Sequence, residues 1–212
     1  VTVNISGSTV YGIANIERVK ADGNKSLTLA ASDIPNAWTI EVANGIDGKL
    51  NQLEFVGFKT LLGGKGADSF NIKTNFAGAI NGNDGADNFV LNKAFSGSLD
   101  GGADADTFTI LAAVTGDLLG GAGNDNFIFN KDGFVMPAQG KTADGGDGVD
   151  VVNLSGVDDD KIIALNGSTI YGLNGVERVI GNSNRNFTLD ASETTTALSW
   201  LIDDIDGVGL EA

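Results

Sequence analysis

The sequence predicts an all-β fold, a right-handed parallel β-solenoid with about 19 residues per coil. Three observations lead to this prediction. A glycine-rich motif, Gly-Gly-x-Gly-x-Asp-x-Phe-x-aliphatic, recurs at a fixed interval between residues 62 and 129. Apolar residues keep the same positions within each interval, with polar residues between them. The close spacing of the glycines, 31 in 212 residues, excludes long helices.

The interval is set by the motif aspartates, which lie 19 residues apart at Asp68, Asp87, Asp106 and Asp125. A fifth copy has its aspartate at Asp150, 25 residues after Asp125, so that six residues are inserted before it. A period near 20 with a glycine turn is typical of repeat architectures. Each unit is therefore predicted to form one coil, with like residues stacked at the interstrand spacing of about 4.8 Å.

Two short strands are predicted in each coil, because apolar and polar residues alternate on both sides of the motif turn. The phenylalanines that follow the aspartates are predicted to form an internal column whose role is core packing. They are Phe70, Phe89, Phe108 and Phe127. Further inward columns consist of Ile72, Leu91, Ile110 and Phe129, of Phe76, Phe95 and Val114, and of Ile80, Leu99 and Leu118.

A longer repeat encloses the short coils. Residues 7–32 return at 167–192 with an offset of 160, no gap and 13 identities in 26 positions. We therefore interpret residues 1–212 as a single solenoid segment. It has irregular coils at 1–61, regular 19-residue repeats at 62–154 and, at 155–212, the start of the next 160-residue unit. The chain is expected to be an excerpt of a longer protein built from tandem units.

The composition argues against several classes of partner and site. Thirteen basic and 28 acidic residues give a net charge of −15, which disfavours nucleic acid and anionic membrane surfaces as partners. The sequence has no run of about 18 apolar residues, so membrane insertion is not expected. Because the chain has neither His nor Cys, zinc, copper and iron–sulfur sites lack their usual ligands.

Stacked coils place the motif aspartates in one column along an edge of the solenoid. Carboxylates about 4.8 Å apart repel by roughly 1 kcal/mol in water and by more inside a protein, so the column needs compensation. One compensation is backbone N–H groups of each aspartate's own glycine turn. The other is Ca²⁺, held by carboxylates and by glycine carbonyl oxygens. The candidate metal-site residues are Asp68, Asp87, Asp106, Asp125, Asp150, Gly64, Gly66, Gly85, Gly102, Gly121, Gly123, Gly146 and Gly148.

The regular coils resemble a known family. Residues 63–68, Gly-Gly-Lys-Gly-Ala-Asp, have the form of the repeats-in-toxin nonapeptide, whose β-roll binds Ca²⁺. The interval of 19 is similar to that of the coils in large secreted bacterial adhesins of this kind, and residues 63–81 match every fixed position. Asn83 and Asp104 replace glycines in the next two coils. Filamentous haemagglutinin-type solenoids are also similar.

The resemblance covers about residues 62–154 and implies a Ca²⁺-stiffened segment of an adhesin, extracellular on a bacterial cell surface, where it would serve attachment and biofilm formation. The leading prediction is thus a structural or adhesive segment of an extracellular repeat protein, a cell-surface adhesin or a filament, and not an enzyme. The expected partners are neighbouring repeats of the same chain, copies that associate end to end through open coil edges, and a surface receptor or polysaccharide.

Two alternatives remain open. A parallel β-helix enzyme acting on polysaccharides needs a general base and clustered basic groups. The chain has only three arginines, Arg18, Arg178 and Arg185, and the pairs Glu17-Arg18 and Glu177-Arg178 are better interpreted as lateral ion pairs or a solvated ladder. A carbohydrate-binding module would need aromatic residues on its outer face; Trp38 and Trp200 are candidates, although packing within irregular coils is favoured for both.

Overall fold

The computed structural model of the chain describes residues 2–6, 9–10, 15–22, 26–43, 46–130, 143–157, 161–166, 169–170, 173–182 and 187–190. These residues form 22 β-strands joined by turns. No helix in the described ranges is long and apolar enough to cross a membrane. The strands are β1 (Thr2–Ser6), β2 (Thr9–Val10), β3 (Arg18–Lys20), β4 (Thr28–Ala30), β5 (Ala37–Ala43), β6 (Ile46–Leu50), β7 (Leu53–Val56), β8 (Thr60–Gly64), β9 (Ser69–Ile72), β10 (Ala79–Asp84), β11 (Asn88–Leu91), β12 (Ser98–Ala103), β13 (Thr107–Ile110), β14 (Asp117–Ala122), β15 (Asn126–Phe129), β16 (Ala143–Asp147), β17 (Val151–Asn153), β18 (Lys161–Asn166), β19 (Thr169–Ile170), β20 (Leu173–Asn174), β21 (Arg178–Ile180) and β22 (Phe187–Asp190).

Two long sheets contain these strands. The 12-stranded sheet has the order β2-β1-β4-β8-β10-β12-β14-β16-β20-β19-β18-β22, and the 10-stranded sheet has the order β21-β17-β15-β13-β11-β9-β5-β6-β7-β3. From β8 to β17 each coil contributes one strand to each sheet, and like strands pair in parallel. Ala79 is opposite Ser98 in the first sheet, and Asn88 is opposite Thr107 in the second. The prediction of an all-β parallel solenoid is confirmed.

The space between the two sheets is filled by the predicted apolar columns. The four motif phenylalanines are fully buried, and their rings stack with centroids 4.7 to 4.9 Å apart and planes within 11° of parallel. Trp38 extends this column by stacking on Phe70 at 5.5 Å. Because Trp38 is only 1% exposed, it packs inside the irregular coils as favoured and is no part of an outer face.

The 10-stranded sheet contains an antiparallel meander where the sequence predicted parallel coils. Strands β5, β6 and β7 fold back on one another in antiparallel pairs, and β5 and β7 then pair in parallel with β9 and β3. The strands of this meander lie within residues 33–58, which lack the motif. Phe55 packs edge-on against Trp38 and Phe58, so aromatic side chains fill the core here.

A second meander lies in the other sheet. Strands β18, β19 and β20 pair antiparallel in succession, and β20 joins β16 in parallel. Counted along the 12-stranded sheet, β18 lies nine positions from β1, its equivalent in the 160-residue repeat. Along the 10-stranded sheet, β21 also lies nine positions from β3. The two sheets therefore advance equally, by about 43 Å per 160-residue unit at the usual interstrand spacing.

Some of the residues singled out from the sequence lie outside the described ranges. They are Trp200 and Arg185.

Candidate functional site

The five motif aspartates form one buried column at the corner where the 12-stranded sheet turns into the 10-stranded sheet. Their exposed fractions are 0 to 2%. The backbone N–H of each of the first four donates a hydrogen bond of 2.7 Å to the Oδ1 atom of the aspartate one coil further along the chain. The four bonds run from Asp68 to Asp87, from Asp87 to Asp106, from Asp106 to Asp125 and from Asp125 to Asp150. The predicted column is therefore present as a continuous ladder.

The donor in this ladder differs from the one that the sequence suggested. The aspartate's own glycine turn was expected to supply backbone N–H groups, whereas the observed donor is the aspartate of the preceding coil. The bond therefore joins two coils. Parallel strands in register bring equivalent residues to the interstrand spacing, which allows a backbone N–H to meet its neighbour's carboxylate.

Two residues of other types terminate the ladder, and sequence reasoning missed both. At one end the backbone N–H and Nδ2 of Asn36 donate to Asp68 Oδ1, at 2.6 and 3.0 Å. At the other end the backbone N–H of Asp150 donates to Glu177 Oε2 at 2.8 Å. Glu177 corresponds to Glu17 in the 160-residue repeat, and this recurrence is the sequence signal that could have identified it.

The second oxygen of each aspartate, Oδ2, is buried without a hydrogen-bond partner. It lies against the glycine five residues earlier, where a Cβ atom would collide with it. These glycines are required at the site, yet only the next two glycine positions of each motif were predicted for it. They are Gly63, Gly82, Gly101, Gly120 and Gly145.

The predicted glycines shape the turn beside the column. Seven of the eight have positive φ, from 98° at Gly146 to 156° at Gly64, and Gly66 is the exception. Asn83 and Asp104, which replace glycines in the motif, have φ values of 73° and 76°. Asn and Asp are the side chains that adopt this left-handed conformation most readily, which accounts for the two departures from the motif.

Stacking of the turns gives glycine a second role. A Cβ on Gly102 or Gly121 would collide with the carbonyl oxygen of the equivalent residue in the preceding coil, Asn83 or Gly102. At their φ values of 113° and 111°, Gly102 and Gly121 therefore leave no room for a side chain between the stacked turns, whereas Asn83 adopts a φ of 73° in the same column. Seven of the eight predicted glycines thus have a conformational role in the turns.

Burial controls the ionisation of the column. Desolvation raises the pKa of Asp106 to about 8, of Asp87 to about 7 and of Asp125 to about 6, and neighbouring carboxylates add to the increase. Burial also raises the pKa of Asp68 and Asp150. Hydrogen bonds from the backbone oppose these shifts without cancelling them. A proton or a cation is thus needed to balance the column.

The donor atoms can be compared with the needs of Ca²⁺. In the described part of the chain, no three acidic side chains come together as a metal-binding cluster. Each coil does offer one carboxylate oxygen without a hydrogen-bond partner. At Gly63, Asp68 Oδ2 and the carbonyl oxygen of Gly82 both lie against the position that a Cβ atom would occupy. Calcium accepts backbone carbonyls among its six to eight oxygen ligands. The residues fit this ion in the type of atom that they supply, and most of its ligands would have to be backbone carbonyl oxygens.

The described contacts of the two Glu-Arg pairs involve the arginine of the first pair and the glutamate of the second. Arg18 makes a lateral ion pair with Glu54 on the adjacent strand β7, at 2.6 Å, as one of the sequence interpretations predicted. Glu177 instead accepts the last bond of the aspartate ladder. Arg18 and Glu177 thus each contact a residue on a neighbouring strand or coil, and neither of these contacts is made within a Glu-Arg pair.

Comparison with known proteins gives no relative. No protein-family model, no curated protein and no solved structure matches the chain. The fold and the column therefore define its class, an all-β parallel solenoid with a buried aspartate ladder.

Proposed function

We propose that the chain is a structural, adhesive segment of an extracellular repeat protein, a cell-surface adhesin or filament. One observation carries the proposal: both sheets continue from one 160-residue unit into the next, and both advance by nine strands. An array of such units keeps its backbone hydrogen bonds at every junction, as repeat proteins require when each repeat contacts only its neighbours. Such an array would be a long, stiff spacer that extends from the cell surface.

We further propose that Ca²⁺ stiffens this segment. The ion would be held by Oδ2 of Asp68, Asp87, Asp106, Asp125 and Asp150 together with carbonyl oxygens of the glycine turns. Its charge would neutralise carboxylates whose Oδ2 atoms are otherwise buried without a partner. An ion bound to the folded coils and not to the unfolded chain adds directly to stability.

Small-angle scattering of the full chain tests the structural role. The 12-stranded sheet has eleven interstrand spacings, so the particle should be a rod at least about 50 Å long. The cross-section should stay constant along the rod, because each coil repeats the one before. A globular scattering profile would contradict the proposal.

Surface display is tested separately. An antibody raised against the full chain should label intact, unpermeabilised cells that produce the parent protein. Labelling that appears only after permeabilisation would reject the extracellular location and leave the rod-like fold unaffected.

A further inference from the structure

The start of the second 160-residue unit reproduces the pairings of the first, residue for residue. In the antiparallel pair β1–β2, Ile5 is opposite Val10, and in β18–β19 Leu165 is opposite Ile170. The parallel pairs β1–β4 and β18–β22 agree in the same way. Asn4 is opposite Ala30 in the first, and Ala164 is opposite Asp190 in the second. The offset of 160 therefore holds in the fold as well as in the sequence.

The second unit also shows how a unit docks on the coil before it. In the 12-stranded sheet β20 pairs with β16, and in the 10-stranded sheet β21 pairs with β17. Arg178 is opposite Val151, and Val179 is opposite Val152. The carbonyl oxygen of Asp150 accepts from the backbone N–H groups of Glu177 and Arg178, at 3.2 and 3.1 Å. The junction is thus made by backbone hydrogen bonds together with the last step of the aspartate ladder.

The first unit presents the same elements with this edge open. Asn15 has φ of 58°, and its equivalent Gly175 has φ of 55°, so the turn that leads into the docking strand has the same left-handed residue. Glu17 and Arg18 are exposed. Among the described strands, β3 is the last in the 10-stranded sheet and pairs only with β7.

We propose that this edge, residues 15–20, is the docking surface for the β16–β17 coil of a preceding 160-residue unit in the same chain. The register follows from the internal junction: Arg18 opposite Val151, and Val19 opposite Val152, of the preceding unit. Glu17 accepts the backbone N–H of that unit's Asp150 and terminates its aspartate ladder. The inference deepens the proposed structural role, on which it rests, by identifying the partner of the edge.

A tandem chain with engineered cysteines tests this register. Residues 1–160 are added directly before Val1 of the full chain, with Val151→Cys in the added unit and Arg18→Cys in the following one. Paired residues on adjacent strands are close enough for a disulfide, and the natural chain has no cysteine to interfere. The positive control is Val151→Cys with Arg178→Cys in the 212-residue chain, where the two residues are already opposite each other.

A matched negative control moves one cysteine by a coil. Asn126 occupies the same column as Val151 on the preceding strand, so Asn126→Cys in the added unit with Arg18→Cys should be too distant to form a bond. On mild oxidation we expect the tandem pair to form an intramolecular disulfide in a yield within about twofold of the positive control. The negative control should remain reduced.

Scattering from the cysteine-free tandem chain provides a second measurement. Its longest dimension should exceed that of the 212-residue chain by about 43 Å, which is nine interstrand spacings. The proposal is overturned if the tandem pair stays reduced while the positive control is oxidised, if disulfides form only between molecules, or if the scattering indicates two rods on a flexible joint. Each of these results would leave the rod of the 212-residue chain intact, whereas a globular 212-residue chain would reject the proposed function itself.

Discussion

The aspartate in each turn is buried in a position where a neutral side chain would be easier to accommodate. Asn36 occupies the same column at its end and shows the neutral solution. Its Nδ2 donates to the backbone carbonyl of Ser32 at 2.9 Å as well as to Asp68 Oδ1. The aspartates lack such a hydrogen, so Oδ2 has no partner unless a proton or a cation supplies one.

The first prediction concerns pH. With a calcium chelator present, the protein should be most stable near pH 4 and should lose stability as the pH rises to about 8. Unfolded aspartates have a pKa near 3.8, whereas Asp125, Asp87 and Asp106 have folded-state pKa values of about 6, 7 and 8. The folded chain therefore holds protons that the unfolded chain has already lost, and its stability falls across this interval. Urea unfolding at a series of pH values measures this loss of stability. A stability that stays constant or rises between pH 4 and pH 8 would contradict the prediction that the buried aspartates hold protons in the folded chain.

The second prediction concerns Asp106→Asn. In chelator at pH 8, this change should raise the free energy of unfolding by about 1 to 3 kcal/mol, because it removes a buried unpaired charge. Oδ1 of the new side chain can still accept from the N–H of Asp87, and the new amide would lie against Gly101, as the carbonyl oxygen of Gly120 also does. Asp84→Asn is the matched control, since it removes an exposed charge from a neighbouring turn. A destabilised Asp106→Asn variant would contradict the prediction.

The sequence indicated which residues form the column, but not their hydrogen bonds. A fixed interval of 19 is enough to stack Asp68 on Asp87. The donor depends on which backbone N–H groups are left unpaired at the corner, and no residue pattern reports that. Asn36 and Glu177 were missed because they differ in type from the aspartates and follow irregular intervals.

At the scale of single elements, the turns require residues that tolerate positive φ. Gly121→Ala should destabilise the chain by about 2 kcal/mol or more, since a left-handed alanine costs 1 to 2 kcal/mol and its Cβ would collide with the carbonyl oxygen of Gly102. A melting temperature lower by about 4 to 8 °C is expected for a chain of this size. Asn83→Gly, in the same column, is the control and should change the melting temperature little, because Asn already adopts this conformation. Equal effects of the two substitutions would contradict this role of the turn.

The two antiparallel meanders could not be predicted from the sequence. Alternating apolar residues indicate a strand but carry no information on whether its neighbour runs parallel or antiparallel. Trp38 was expected to pack in irregular coils, and it does, but its place on top of Phe70 depends on β5 pairing with β9 over a gap of 32 residues. The phenylalanine column was predictable because its members share both residue type and interval.

At the scale of the whole molecule, the meanders balance each other. One adds strands to the 10-stranded sheet and the other to the 12-stranded sheet, so that both sheets advance nine positions per unit. Unequal sheets would splay apart or bend the solenoid at every unit. Equal sheets let 160-residue units follow one another without such a bend.

Our central proposal is that the buried aspartate column binds Ca²⁺ along the solenoid. The most direct test is isothermal calorimetry with Ca²⁺ at pH 8, together with the melting temperature in Ca²⁺ and in chelator. We expect calcium uptake and, at a Ca²⁺ concentration about 100 times the dissociation constant, a gain in the free energy of unfolding of about 2.7 kcal/mol per site, which would raise the melting temperature by at least about 5 °C. Both effects should be reduced in Asp106→Asn and unchanged in Asp84→Asn. No calcium uptake and identical melting temperatures in Ca²⁺ and in chelator would contradict the claim.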